Sequence, residues 1–406
     1  MLIQRSNILN AKQLVLMLFL ILNMIPSNYY CQSRTLLFQT NKVSIVGNKD
    51  QLKEFSKALD NSKNQVVRIA HYGDSSLLGD VISEALRYEF QTRFGGQGAG
   101  FMSLCSSDVT MRKSSIQQFS DDWKYTSIFL RNPDQLPLGI SGYVASPQEG
   151  STLKFNTTHH IKNLYDYYHA DVYYSHAQDN STIDVIIDDG DRKSINLIPG
   201  KELNKSVLLD SKTKSLDLTF KNCSNAYFYG ISFENGNGVY LDNFPVTGNT
   251  GVSLLDISSN MLTAFKKYID YNLIILHYGM NLPTPKGGTL KIYKDKMLKV
   301  IKHYQDTFPN AGILMVGISD RIMKKGNKII TSRETYEILE AQKDIAKEAK
   351  VAYWSLFDAM GGKDSMGKWV DSAPPMALKD YRHFTHEGGE IVAKLFFDAI
   401  MEATGR

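Results

Sequence analysis

Leu52, Phe55 and Leu59 recur at the spacing of one helix face, and a polar stretch at 61–65 separates them from Val66-Val67-Arg68-Ile69-Ala70, a short apolar run of strand type. That run leads through His71-Tyr72-Gly73-Asp74-Ser75-Ser76 into Leu77, Leu78, Val81, Ile82, Ala85, Leu86 and Phe90, again at helical spacing. The order strand, tight turn, helix puts Ser75 at the carboxyl end of a strand, where open α/β sheets place their reactive groups.

From about 115 to 240 the pattern changes to short runs of β-formers separated by turn residues, as at 171–175, 183–187 and 216–220, with Asp189-Gly190 as a hairpin signal. Beyond 250 the alternation returns. A helix pattern runs through Leu254, Leu255, Ile257, Met261, Leu262 and Phe265, and Leu273-Ile274-Ile275-Leu276 reads as a strand. Leu290, Tyr293, Met297 and Ile301 mark a helix, followed by a strand at 313–318. Thr331 and Glu334 have capping-box spacing, 351–354 reads as a last strand, and 384–401 as a closing helix. Alternating strands and helices predict a parallel sheet covered on both faces, interrupted by a β-rich insertion.

Length supports that division, because 406 residues exceed what one hydrophobic core organises. The formal net charge of +4 is small and the lysines are scattered, so nothing calls for nucleic acid as a partner. The basic loop formed by Arg321, Lys324, Lys325 and Lys328 reads as a solvated connection. At the amino terminus, Arg5 and Lys12 precede an apolar run at 14–25 that ends at Pro26. This is the pattern of a secretory signal, and the run is shorter than the about 20 apolar residues that span a bilayer. Removal at 1–31 would leave no stable membrane span and place the chain in a periplasm or outside the cell. The bulky Asn28, Tyr29 and Tyr30 argue against lipid anchoring at Cys31. Export would permit a bond between Cys105 and Cys223, with two buried free thiols as the alternative. His159, His160, His169 and His176 fit no zinc spacing, so they read as structural and no metal is expected.

A serine hydroxyl becomes a nucleophile when a base takes its proton, and that base needs a third group to hold its tautomer. Asp380-Tyr381-Arg382-His383 stands just ahead of the closing helix. An Asp three residues before a His in a turn can meet the imidazole Nδ1 and leave Nε2 for Ser75. Acyl transfer also needs donors aimed at the oxyanion. Thr247-Gly248-Asn249-Thr250-Gly251 and His277-Tyr278-Gly279-Met280-Asn281 suit this, since glycine admits close backbone approach and the Asn281 amide donates.

Taken in order, these segments resemble the SGNH hydrolases, or GDSL-like esterases. Gly73-Asp74-Ser75 is the first block, a glycine placed at Gly251 with Gly248 as the alternative the second, Gly279-x-Asn281 the third, and Asp380-x-x-His383 the fourth. The resemblance implies a flavodoxin-like three-layer α/β/α core. It also implies an oxyanion hole formed by the backbone amides of Ser75 and Gly251 and the Asn281 side chain, with Gly73, Asp74 and Gly279 shaping the turns. Arg68 to Ser75, Phe94 to Phe101, and Ala359-Met360-Gly361-Gly362 with Trp369 are similar to the branch that includes peptidoglycan O-acetylesterases, which carries a β-rich insertion between the first and second blocks. Ser76 departs from that pattern, where His is common. The expected organisation is a signal at 1–31, core at 32–114 and 241–406, and a β-rich, sandwich-like insert at 115–240. The resemblance implies an exported serine esterase that removes O-acetyl groups from a glycan such as peptidoglycan, without metal or organic cofactor. The alternatives are a glycan O-acetyltransferase using the same triad and a non-catalytic glycan-binding protein.

Overall fold

The structure, a computed structural model, describes residues 39–106, 111–285, 288–326 and 328–406. The expected signal at 1–31, with Cys31, lies outside the described residues.

The apolar runs read as strands assemble into one sheet in the spatial order Val46–Gly47, Ala352–Ser355, Gly312–Gly317, Leu273–His277, Val66–Gly73 and Gly238–Pro245. All neighbours pair in parallel except the short edge strand Val46–Gly47. Strands buried on both faces lose the polar-apolar alternation, which is why 273–277 and 312–317 read as unbroken apolar runs. Side chains alternate across the sheet: His71 faces Phe396, whereas Tyr72 faces Tyr304. Helices Lys53–Asp60, Ser83–Phe94 and His386–Ala403 meet through Phe55, Phe90 and Phe397. Ser259–Lys266, Thr289–Thr307 and Arg333–Glu348 share the cluster of Leu262, Phe265, Met297, Ile301 and Ile338 with Tyr72. The result is a three-layer α/β/α core.

Several element ends differ from expectation. The helix expected from 254 is a 3-10 turn, Val252–Asp256, and then an α-helix whose N-cap Ser258 accepts from Met261 N at 3.2 Å. Thr331 ends a strand instead of capping the next helix, and Ser332 takes the cap position. The helix after Ser75 breaks into Ser75–Asp80 and Ser83–Phe94, because Leu78 and Gly79 leave helical geometry.

The β-rich segment forms two sheets. One runs Asp191–Asn196, Thr182–Ile187, Ser215–Lys221, Thr152–Thr157, Ser115–Phe119. The other runs Asn204–Thr213, Tyr167–Ser175, Tyr227–Glu234, Tyr143–Ser146, Lys124–Ser127, with Gly100–Met102 added beside Tyr227–Glu234. Leu153, Phe155, Val185 and Leu218 of the first sheet and Val172, Tyr174 and Phe228 of the second share one apolar cluster. The other face of the second sheet is buried as well, with Tyr173 against Phe101 and Phe265. The limits expected at 115 and 240 therefore cut across pairing: Gly100–Met102 joins the second β-rich sheet, and Gly238–Pro245 joins the central one.

Cys105 and Cys223 are buried and unbonded. Burial pushes the Cys223 thiol up to about 11 and Cys105 higher still, so neither forms a thiolate at neutral pH. In a chain beginning at residue 32, a thiol reagent at pH 8 is expected to modify neither cysteine in the native protein and both after denaturation. Rapid native labelling would contradict their burial.

Candidate active site

Strand Val66–Gly73 delivers Ser75 directly into the 3-10 turn Ser75–Asp80, and Asp74 caps that turn. Asp74 Oδ1 accepts from Ser76 N at 2.9 Å and from Ser76 Oγ at 2.7 Å. Asp74 is buried; desolvation raises its pKa, and the bonds from Ser76 oppose that rise. A Cβ at Gly73 would stand 2.5 Å from Leu77 Cδ1 and 3.0 Å from the His277 carbonyl, so the chain can turn this tightly only with glycine there. Ser75 itself is half-buried.

The base comes from the turn ahead of the last helix. Asp380 Oδ1 accepts from the backbone N–H groups of Arg382 at 2.9 Å and His383 at 3.1 Å, an Asx-type turn that fixes the carboxylate. Its Oδ2 lies 2.6 Å from His383 Nδ1, and His383 Nε2 lies 2.8 Å from Ser75 Oγ. Burial raises the Asp380 pKa, but the bonds from His383 and Arg382 outweigh this and hold it below the usual carboxylate range. An ionised carboxylate only accepts, so the imidazole proton sits on Nδ1 and Nε2 is left to accept from Ser75. Trp369 packs edge-on against Phe384 at 5.3 Å, anchoring the turn beside His383.

Two loops flank this cluster at the carboxyl ends of neighbouring strands. Val246 N donates to Gly73 O at 2.9 Å, which holds the second-block loop against the Ser75 turn. Asn281 Nδ2 donates to Asn249 O at 3.3 Å, which orients the amide and leaves its second hydrogen available. Gly279 has φ +122°. Its loop is clamped by Gln342, whose Nε2 donates to Tyr278 O at 2.7 Å and whose Oε1 accepts from Ile318 N at 3.1 Å.

At the second block the geometry turns against Gly251. Its N–H donates to Asn249 Oδ1 at 2.7 Å and the residue is buried, so that amide is already committed within its own loop. Gly248 is partly exposed, with φ +79°, and its N–H has no acceptor among the described residues. Of the two glycines, Gly248 is therefore the one able to present an N–H to a ligand. The difference comes from a side-chain bond of Asn249 that one sequence does not reveal.

Other candidate positions fall into place around this cluster. His277 is buried and stacked on His71, ring centroids 5.6 Å apart, and burial lowers its pKa to about 4. Both imidazoles are neutral packing groups beneath the turn. Arg321, expected in a solvated loop, is half-buried and its Nη1 donates to Leu282 O at 2.9 Å, bracing the third-block loop. Gln342 was not anticipated; the available signal was a polar residue on the same helix face as Ile338, Leu339 and Ile345. In the β-rich sheets His169 lies 3.2 Å from Asp210 and 3.3 Å from Asp171, and His176 packs on Tyr227.

The parallel sheet between two helical layers, with serine, histidine and the flanking loops at its carboxyl edge, is the three-layer core that the resemblance to SGNH hydrolases implies, and a β-rich unit is added to it. The chain superposes on a solved peptidoglycan O-acetylesterase with a TM-score of 0.71 and 19% identity, over 90% of this chain and 99% of that one. A family two carbohydrate esterase from Cellvibrio japonicus (TM-score 0.28, 10% identity, 72% of this chain and 98% of that one) and one from Clostridium thermocellum in complex with cellohexaose (0.32, 10%, 70% and 99%) align far more loosely, at values that establish no common overall fold. No protein-family model matches the sequence, and no curated protein does.

Proposed function

We propose that the protein is an exported serine esterase that removes O-acetyl groups from a cell-wall glycan, with peptidoglycan as the substrate favoured by the whole-chain likeness in fold. The observation that carries the esterase reading is the relay from Asp380 Oδ2 to His383 Nδ1 and from His383 Nε2 to Ser75 Oγ, at 2.6 and 2.8 Å. His383 takes the Ser75 proton as Oγ attacks the ester carbonyl, then returns it to the departing sugar hydroxyl. The negative charge on the carbonyl oxygen is received by the N–H groups of Ser75 and Gly248 and by the Asn281 amide. A water activated by His383 then releases acetate from Ser75. No step calls for a metal or organic cofactor. The β-rich sheets act as an inserted domain that holds the polymer, and the segment before residue 32 acts as the export signal. No described helix is long and apolar enough to cross a membrane.

The test is acetate release from O-acetylated peptidoglycan by the chain beginning at residue 32. Release that requires Ser75 supports the reading; transfer of acetyl to an added sugar acceptor with little free acetate would replace it with a transferase. Asn281→Ala is expected to lower kcat on nitrophenyl acetate by about 10²–10³-fold with KM little changed, the signature of a donor used only in the transition state. A rise in KM alone would remove Asn281 from the oxyanion site.

A further inference from the structure

Phe129 stands on the loop between strands Lys124–Ser127 and Tyr143–Ser146 of the β-rich unit, yet its ring reaches the second-block loop of the core. A Cβ built on Gly248 would lie 2.8 Å from Phe129 Cζ and 2.9 Å from Cε1, so the tip of the ring stands against this glycine of the second-block loop. The rest of the ring is open: Phe129 is 56% exposed and the adjoining Leu130 51%. Single exposed apolar side chains are ordinary, but here two are adjacent and held in place. Leu130 N donates to Ser127 O at 3.1 Å and Thr126 Oγ1 to Arg131 O at 3.1 Å. Asn132 closes the loop by exchanging two 2.9 Å bonds with Leu136. Beside it lies a groove of about 380 Å³ lined by Leu130, Asn132, Gln135, Leu136, Asp256 and Ser258. Amide, carboxylate and hydroxyl groups thus stand next to apolar surface, which matches a pyranose: hydroxyls around the rim, C–H groups on the faces.

We propose that Phe129 is the platform on which a sugar ring of the substrate stacks beside the oxyanion loop, with the groove taking the neighbouring sugar. This rests on the glycan-esterase reading and adds a specificity-determining residue to it, contributed by the β-rich unit. A pre-ordered ring loses little conformational freedom on binding, so it gains affinity at small entropic cost.

The test uses N-acetylglucosamine tetramer, with binding measured by calorimetry on a Ser75→Ala background so that it does not depend on turnover. Phe129→Ala is expected to weaken binding about tenfold, and Phe129→Trp to retain it. Nitrophenyl acetate carries no sugar, so its turnover by the single Phe129→Ala variant is expected to fall by a clearly smaller factor than the affinity for the tetramer. No binding by the Ser75→Ala protein, or equal binding with and without the ring, overturns the platform. So does a loss of nitrophenyl acetate turnover in step with the loss of affinity, which would make Phe129 a prop for Gly248. Absence of nitrophenyl acetate turnover in the unsubstituted protein would instead sink the esterase reading, with the binding result standing on its own.

Discussion

Ser75→Ala is expected to lower kcat on nitrophenyl acetate by about 10⁵-fold while leaving the melting temperature unchanged. The asymmetry follows from where the hydroxyl sits. Ser75 Oγ meets His383 Nε2 at 2.8 Å in a half-buried position, so its removal deletes one partly buried hydrogen bond and opens no core cavity. The turn itself is held by Asp74 and Ser76, which the substitution does not touch. What is lost is the atom that forms the bond to carbon, and no neighbouring group replaces it. His383→Ala is expected to cost nearly as much, and the double variant little more than either alone, because the two residues act as a unit. A Ser75→Ala protein retaining a tenth of its activity would mean that ester hydrolysis occurs elsewhere on the chain.

Arg87→Met is expected to destabilise the protein by about 3–5 kcal/mol, read as a fall of several degrees in the melting temperature, with folding retained only at lower temperature. Arg87 Nη1 and Nη2 meet the Asp80 carboxylate at 2.8 and 3.2 Å, and Nε donates to Leu241 O at 2.8 Å. The two side chains are 2% and 0% exposed, so methionine would leave the Asp80 charge buried and without its counter-charge. The pair ties the turn carrying Ser75 to helix Ser83–Phe94 and to strand Gly238–Pro245, so some activity is expected to go with the stability. Adding Asp80→Asn to Arg87→Met should recover part of the loss, since the stranded charge is then gone. A double variant that melts lower than the single one would contradict this account.

Much of the core was legible because parallel strands buried on both faces leave apolar runs, and because Ser75 and His383 each stand beside a predictable element. Gly238–Pro245 escaped for the opposite reason. It is buried along its whole length, yet it carries Asp242 and Asn243 and ends in proline. Asp242 is satisfied by Phe101 N at 2.8 Å and Tyr271 at 2.8 Å, and Asn243 by Ser83 at 2.9 Å and Leu77 O at 3.0 Å. Such polar residues read as loop until their partners, remote in sequence, are known. The same limit explains the second-block glycine. The sequence favours Gly251 over Gly248, and what tells against Gly251 in the structure is the acceptor that Asn249 offers its N–H. Phe129 was invisible as well, because only tertiary structure brings a loop of the β-rich unit onto a glycine more than a hundred residues later.

The most direct test of the account is covalent trapping with a fluorophosphonate, followed by peptide mass spectrometry. A nucleophile activated by His383 should take up one phosphonyl group on the peptide containing Ser75, and His383→Ala should abolish the labelling. Labelling at another residue, or labelling of Ser75 that is indifferent to His383, would contradict the mechanism at its centre.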